Sequence, residues 1–317
     1  AFPFAFPCRT LPVNVTDEVF HAIADSFNSL TGWRTRQELE AKLGELILIG
    51  ENTHSGQTIV EGGTLRISND NQLGDTTSSD DRVLVKSGAT LLIEETLTLN
   101  QNRGITLESG ATIAVAEGKT VTYNGKITGD GGQGIKAGGG ELKLTNPGNF
   151  SEGVTVDEGR LTVTHGSGLD DSAAVEVSAD AVLDITNNSQ TIGELSGAGY
   201  VDLGGKYLTI DTTGTADFSG VIDGTGRLIV QGTGTQILSG KNEYSGYTEI
   251  RGSASLQLGV DNALNHASLV YLYDSATFDI NGHKQIVDDF LTNSAATGST
   301  VDLGAATGEL TLGASNN

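Results

Sequence analysis

Ser55-Gly56-Gln57-Thr58-Ile59-Val60-Glu61-Gly62-Gly63-Thr64-Leu65 returns as Ser151-Glu152-Gly153-Val154-Thr155-Val156-Asp157-Glu158-Gly159-Arg160-Leu161. It returns again, one residue longer, as Ser245-Gly246-Tyr247-Thr248-Glu249-Ile250 through Ser255-Leu256. Each copy is a short alternation of Val, Ile, Leu and Thr broken by Gly and acids, the pattern of strands joined by tight turns. The copies start at 55, 151 and 245, so the long unit spans about 95 residues. A second phrase, an Ala-centred turn entering a strand, stands at Ser87-Gly88-Ala89-Thr90-Leu91, Ser109-Gly110-Ala111-Thr112-Ile113, Ala179-Asp180-Ala181-Val182-Leu183 and Asp274-Ser275-Ala276-Thr277-Phe278. Ala89 and Ala111 are 22 residues apart, so about four short units make one long one. A unit of that size cannot bury its own apolar face, and neighbours must stack. The expected fold is all-β: a right-handed parallel β-helix, or β-solenoid, of roughly twelve coils over residues 48–317. At one strand spacing per coil, such a column is about 55–60 Å long.

Residues 1–47 follow a different grammar. Val19, Ile23, Phe27 and Leu30, then Leu39, Leu43, Leu46 and Ile47, recur at helical intervals, with Thr35 and Glu38 as a capping box and Gly32 and Gly44 at C-cap positions. This predicts an N-terminal extension and a short two-helix cap over the open end of the solenoid, where unpaired strand edges need cover.

Composition narrows the function. The 317 residues include 44 Gly, 4 Pro, no Met and 37% hydrophobic residues, which suits a long narrow core better than a thick globular one. No apolar run reaches the roughly 18 residues of a membrane helix, so no membrane-spanning segment is expected. Forty acidic against eighteen basic residues give a net charge of −22, which repels phosphate backbones, and nucleic acid is not an expected partner. The single cysteine, Cys8, cannot form an internal bridge, and the absence of methionine suggests a processed or excised segment. His21, His54, His165, His266 and His283 lie at least 17 residues apart, without local metal-ligand spacing.

Asn242-Glu243-Tyr244-Ser245-Gly246-Tyr247-Thr248-Glu249-Ile250-Arg251-Gly252, followed by Leu256-Gln257-Leu258-Gly259, resembles the autotransporter-associated β-strand repeat of bacterial type V secretion passengers. Asn52 to Ile67 and Asn149 to Val163 look like the same repeat, as does the linking phrase Gln190 to Gly199. The resemblance implies a right-handed β-helix displayed at the outer membrane or secreted, without a cofactor, often an adhesin or self-association factor. Two departures stand out: the chain ends at Asn317 without the membrane barrel of such proteins, and N-terminal helices are not part of the repeat.

Parallel β-helices also host polysaccharide-degrading enzymes. Asp80-Asp81, and Asp170-Asp171 near His165-Gly166, are the candidate acid–base pairs, although turn aspartates are the preferred reading. Gly74-Asp75-Thr76 lacks a serine nucleophile, and Gly129 to Gly134 and Gly138 to Gly140 lack the Lys-Ser and helix of a phosphate loop. They read as a hairpin or an excursion between coils. No Asp-rich loop has calcium spacing. Tyr244, Tyr247, Tyr271 and Tyr273 form the candidate binding cluster, as stacking surfaces for a sugar or a protein, or else as partly buried side chains. The expected function is that of a non-enzymatic surface or secreted passenger mediating adhesion or cell–cell self-association. Its partners are expected to be itself, side by side, or host matrix, glycan or receptor. A polysaccharide-degrading enzyme and a passenger acting on a host receptor are the alternatives.

Overall fold

The computed structural model describes residues 44–54, 56–76, 83–266, 269–292, 298–304 and 307–313, and the backbone of 20–23. The chain winds as a parallel β-solenoid of about twelve turns with strands on up to three faces. The first face is one uninterrupted parallel sheet of 14 strands, from Phe20–Ile23 and Glu45–Ile49 to Thr300–Asp302. The second face, which follows it around each turn, has seven strands from Leu97–Leu99 to Val221–Asp223, and later the pair Lys284–Val287 and Glu309–Leu312. The third face has four strands from Thr58–Val60 to Ile127–Asp130 and six from Gln190–Ile192 to Asp289–Thr292.

Period-2 alternation builds the core. In Thr64–Ile67, Leu65 and Ile67 point inward while Thr64 and Arg66 stay outside. Register then stacks Leu65 on Leu91 and Leu91 on Ile113, all buried. Each such side chain contributes about 1.5–3 kcal/mol. Successive coils touch closely at the corners. A Cβ on Gly240 would lie 1.9 Å from the carbonyl oxygen of Gly220 on the preceding coil. Gly240→Ala is therefore expected to destabilise the chain by about 1–3 kcal/mol, with Gly166→Ala, which meets nothing within 4 Å, as a neutral control in thermal denaturation.

Where the lateral faces are interrupted, buried amides replace the missing ladder bonds. In the gap of the third face, Asn149 Oδ1 accepts from Ile127 N–H at 2.9 Å and its Nδ2 donates to Gly168 O at 3.0 Å. Two coils beyond Asn149, Gln190 Oε1 accepts from the N–H groups of Gly168 and Leu169 at 3.1 and 3.3 Å. In the gap of the second face, Asn242 accepts from Ile222 N–H at 2.9 Å and donates to Ala263 O at 2.9 Å. Gln285 then accepts from Leu264 N–H and donates to Leu264 O, both at 3.1 Å. This is one device used twice, a long unit apart. It falls on different faces because the long unit is not a whole number of turns. Thr58–Val60 lies on the third face, its copy Val154–Val156 on the first and the next copy Thr248–Ile250 on the third again. The two steps thus exceed four turns by one face and by two faces.

The helical cap requires correction. Phe20–Ile23 is a strand paired in parallel with Glu45–Ile49, and Leu46 and Ile47 belong to that second strand. Non-local pairing with Thr64–Ile67 satisfies the Glu45–Ile49 backbone in a way that helical spacing does not foresee, and Gly44, at φ 129°, enters a strand rather than closing a helix. The rest of the expected helices, with Thr35 and Glu38, lies outside the described residues. Between Thr64–Ile67 and Val83–Val85 the second face has no strand among the described residues; a 3-10 turn at Asp70–Leu73 stands there, held by fully buried Arg103. Arg103 donates from Nε to Asp70 Oδ1 at 2.9 Å, from Nη1 to Leu73 O at 2.8 Å and from Nη2 to Asp70 O and Gly74 O at 3.0 and 3.2 Å.

Candidate binding face

The later strands of the third face, Tyr207–Thr212, Arg227–Gly232, Thr248–Ile250 and Leu269–Leu272, turn Leu208, Ile210, Leu228, Val230, Ile250 and Val270 inward. Their register lines the outward side chains into columns. Tyr207 pairs with Arg227, and Tyr247 follows where Leu228 pairs with Thr248. Beside them runs Ile229, Glu249 and Tyr271. A third column continues the same register through Gln231, Arg251 and Tyr273.

These side chains hold one another. The Arg227 guanidinium lies 3.9 Å from the Tyr207 ring centre and 4.2 Å from that of Tyr247, a cation–π sandwich, and its Nη2 donates to Tyr207 Oη at 2.8 Å. Arg227 Nη1 is 3.3 Å from Glu249 Oε1, and Arg251 Nη2 binds Glu249 Oε2. Glu249 is only 3% exposed, so its carboxylate depends on both guanidiniums for compensation. Tyr271 meets Tyr247 edge-on at 5.2 Å and stacks on Tyr273 at 6.4 Å. Asp211, which pairs with Gln231 at the head of the third column and accepts from its Nε2 at 3.0 Å, gives the stripe two carboxylates against two guanidiniums.

Tyr247, Tyr271 and Tyr273 thus come together as a surface group, but Tyr244 does not join them. It is fully buried, its hydroxyl 2.6 Å from Thr248 Oγ1, and burial pushes the phenol pKa up. At the same position of the other copies Phe150 is buried, and half-buried His54 makes the matching contact, its Nε2 3.0 Å from Thr58 Oγ1. Tyr207, Arg227, Glu249 and Arg251 were not anticipated. The 20-residue spacing of Tyr207, Arg227 and Tyr247 would have found the first column had the local coil length been known.

The acid–base candidates serve their own turns. Asp170 Oδ1 accepts from Ser172 N–H at 3.0 Å and Ser172 Oγ at 2.7 Å, bonds that lower its pKa. His165 Nδ1 accepts from Ser167 N–H at 3.1 Å, and Asp171 is exposed. Asp80 and Asp81 lie outside the described residues. The glycine segments are neither hairpin nor excursion: strands Ile127–Asp130, Gly134–Ala137 and Glu141–Leu144 follow on successive faces with the glycines at the corners. Inward-pointing Lys136 explains the second corner, since its Nζ donates to Gly138 O and Gly140 O at 2.7 Å and to Glu158 O at 2.6 Å. Burial lowers its pKa to about 8, against the opposing pull of Glu158 and Glu141. Among the described residues, no three His, Cys, Asp or Glu side chains are grouped to hold a metal ion, and no helix is long and apolar enough to cross a membrane.

The architecture is that of a repeat-built solenoid with a polar, aromatic flank. Three segments, residues 43–67, 135–163 and 228–258, match the family model of the passenger-associated-transport-repeat. A parallel β-solenoid that carries this repeat three times is consistent with an autotransporter passenger domain, and the repeat implies a secreted or surface-displayed protein and a mostly structural role. Neither the curated proteins nor the solved structures yield a match. The matched segments contain Asn149 and Asn242, the buried amides that bridge interrupted faces, and half-buried Asn52, whose Nδ2 donates to Gln72 O at 2.7 Å.

Proposed function

We propose that the chain is a non-enzymatic bacterial passenger that mediates adhesion or cell–cell self-association through the outside of its solenoid, either with a second copy or with host matrix, glycan or receptor. The third-face stripe supports this reading: rings and guanidiniums from neighbouring coils are fixed by mutual contacts before any partner arrives, which lowers the entropic cost of association. Analytical ultracentrifugation across a concentration series, with clumping and matrix-binding assays on cells displaying the chain, is the test. Adhesion or concentration-dependent association is expected, and Tyr207→Ala combined with Tyr247→Ala should weaken it about tenfold or more. A strict monomer that binds no matrix, glycan or receptor surface would sink the proposal.

A further inference from the structure

Independently of that reading, we infer that Asn124 is a site of spontaneous covalent modification, converting through a succinimide to aspartate and isoaspartate with assistance from the Thr145 hydroxyl. Asn-Gly occurs twice in the chain, at Asn124-Gly125 and Asn281-Gly282. In such a pair the glycine amide nitrogen, unshielded by a side chain, is within reach of the asparagine Cγ. The two pairs are held differently. Gly282 N–H donates to Leu303 O on the next coil at 2.9 Å, and Asn281 Nδ2 donates to Leu258 O at 3.4 Å. Nucleophile and leaving amide are both engaged there. No acceptor among the described residues takes the Gly125 N–H, and the side chain of exposed Asn124 is held only through Oδ1, which Thr145 Oγ1 contacts. The fold itself demands glycine after Asn124. Tyr123 turns back to place its hydroxyl between the carbonyls of Arg103 and Lys126, and a Cβ on residue 125 would overlap its ring.

Thr145 stands where charge develops. The Gly125 nitrogen gives its proton to water and bonds to Asn124 Cγ, and the Cγ–Oδ1 π electrons move onto Oδ1, the oxygen that the Thr145 hydroxyl contacts. That hydroxyl shares its one proton with Tyr123 O at 3.2 Å, so it is already aimed at this corner. The carbonyl then re-forms, the Cγ–Nδ2 bond breaks, and Nδ2 takes a proton from water and leaves as ammonia. Water opens the resulting ring. Addition at Cγ gives aspartate, and addition at the main-chain carbonyl of residue 124 gives isoaspartate, each with a new carboxylate. The isoaspartate route carries the backbone through the former side chain and lengthens it by a methylene beside the Tyr123 ring, which loosens the brace on Arg103 and Lys126.

The test is peptide mapping by mass spectrometry after incubating the full chain in heavy-oxygen water, folded and in urea. In the folded chain Asn124 should take up the label, as both aspartate and isoaspartate, at least about tenfold faster than Asn281, whose glycine amide must first leave a hydrogen bond between coils. In urea both pairs are free, and the two rates should converge. Thr145→Val should slow the folded Asn124 reaction about two- to tenfold, and Thr145→Ser should restore it. Equal rates at the two sites in the folded chain, a difference that persists in urea, label at Asn124 without isoaspartate, or a Thr145→Val rate at or above that of the wild type would each overturn the inference.

Discussion

Arg103→Met is expected to loosen the first coils by about 3–5 kcal/mol while leaving the later ones intact. Methionine keeps much of the bulk but offers none of the guanidinium donors that hold Asp70, Leu73 and Gly74, so the 3-10 turn loses its anchor and buried carbonyls lose their partners. Tyr123, whose hydroxyl lies between the carbonyls of Arg103 and Lys126 and shares its one proton with them, loses the fixed backbone that it braces. In a stack where each coil touches mainly its neighbours, the damage should stay local. Hydrogen exchange would show it: amides in Val83–Val85 and Ile105–Glu108 should exchange at least about a hundredfold faster, and those of Leu228 and Ile250 should not change. A uniform change along the column, or none, would contradict the anchoring role of Arg103.

Lys136→Met should be the other severe substitution, costing about 2–4 kcal/mol because the carbonyls of Gly138, Gly140 and Glu158 converge on one amine that methionine cannot replace. It should also change the pH dependence of stability. With the folded pKa lowered to about 8 from 10.5, the unfolded amine keeps its proton between those values after the folded amine has released it. Wild-type stability from this group therefore rises with pH across that window. The methionine variant lacks this slope, so the gap between the two proteins should widen from pH 8 to pH 10.5. Chemical denaturation at several pH values would measure it, and a gap that narrowed would count against a strained, buried ammonium.

The coil was legible because its determinants are local. The alternation in Thr64–Ile67, the returning Ser-Gly phrase and the Ala-centred turns at Ala89 and Ala111 each report inward and outward positions without reference to distant residues. Phe20–Ile23 misled because its fate is decided by a partner more than twenty residues away. Arg103, Lys136 and Glu249 escaped notice for a related reason: a charged residue reads as solvent-facing until the backbone carbonyls or guanidiniums that surround it are known. The aromatic stripe was half seen. Tyr247, Tyr271 and Tyr273 were grouped by proximity in sequence, whereas Tyr207 and Arg227 enter only through the pairing of successive coils, and Tyr244 leaves because its parity points inward.

The fractional winding of the long unit acts like the phase of a screw thread. Gaining or losing one such unit upstream would lengthen or shorten the molecule and also swing everything beyond it by one-third or two-thirds of a revolution. Length variants held at a common base would aim the Tyr207–Tyr273 patch at different compass bearings, so a change in copy number alone would decide which neighbours it could reach.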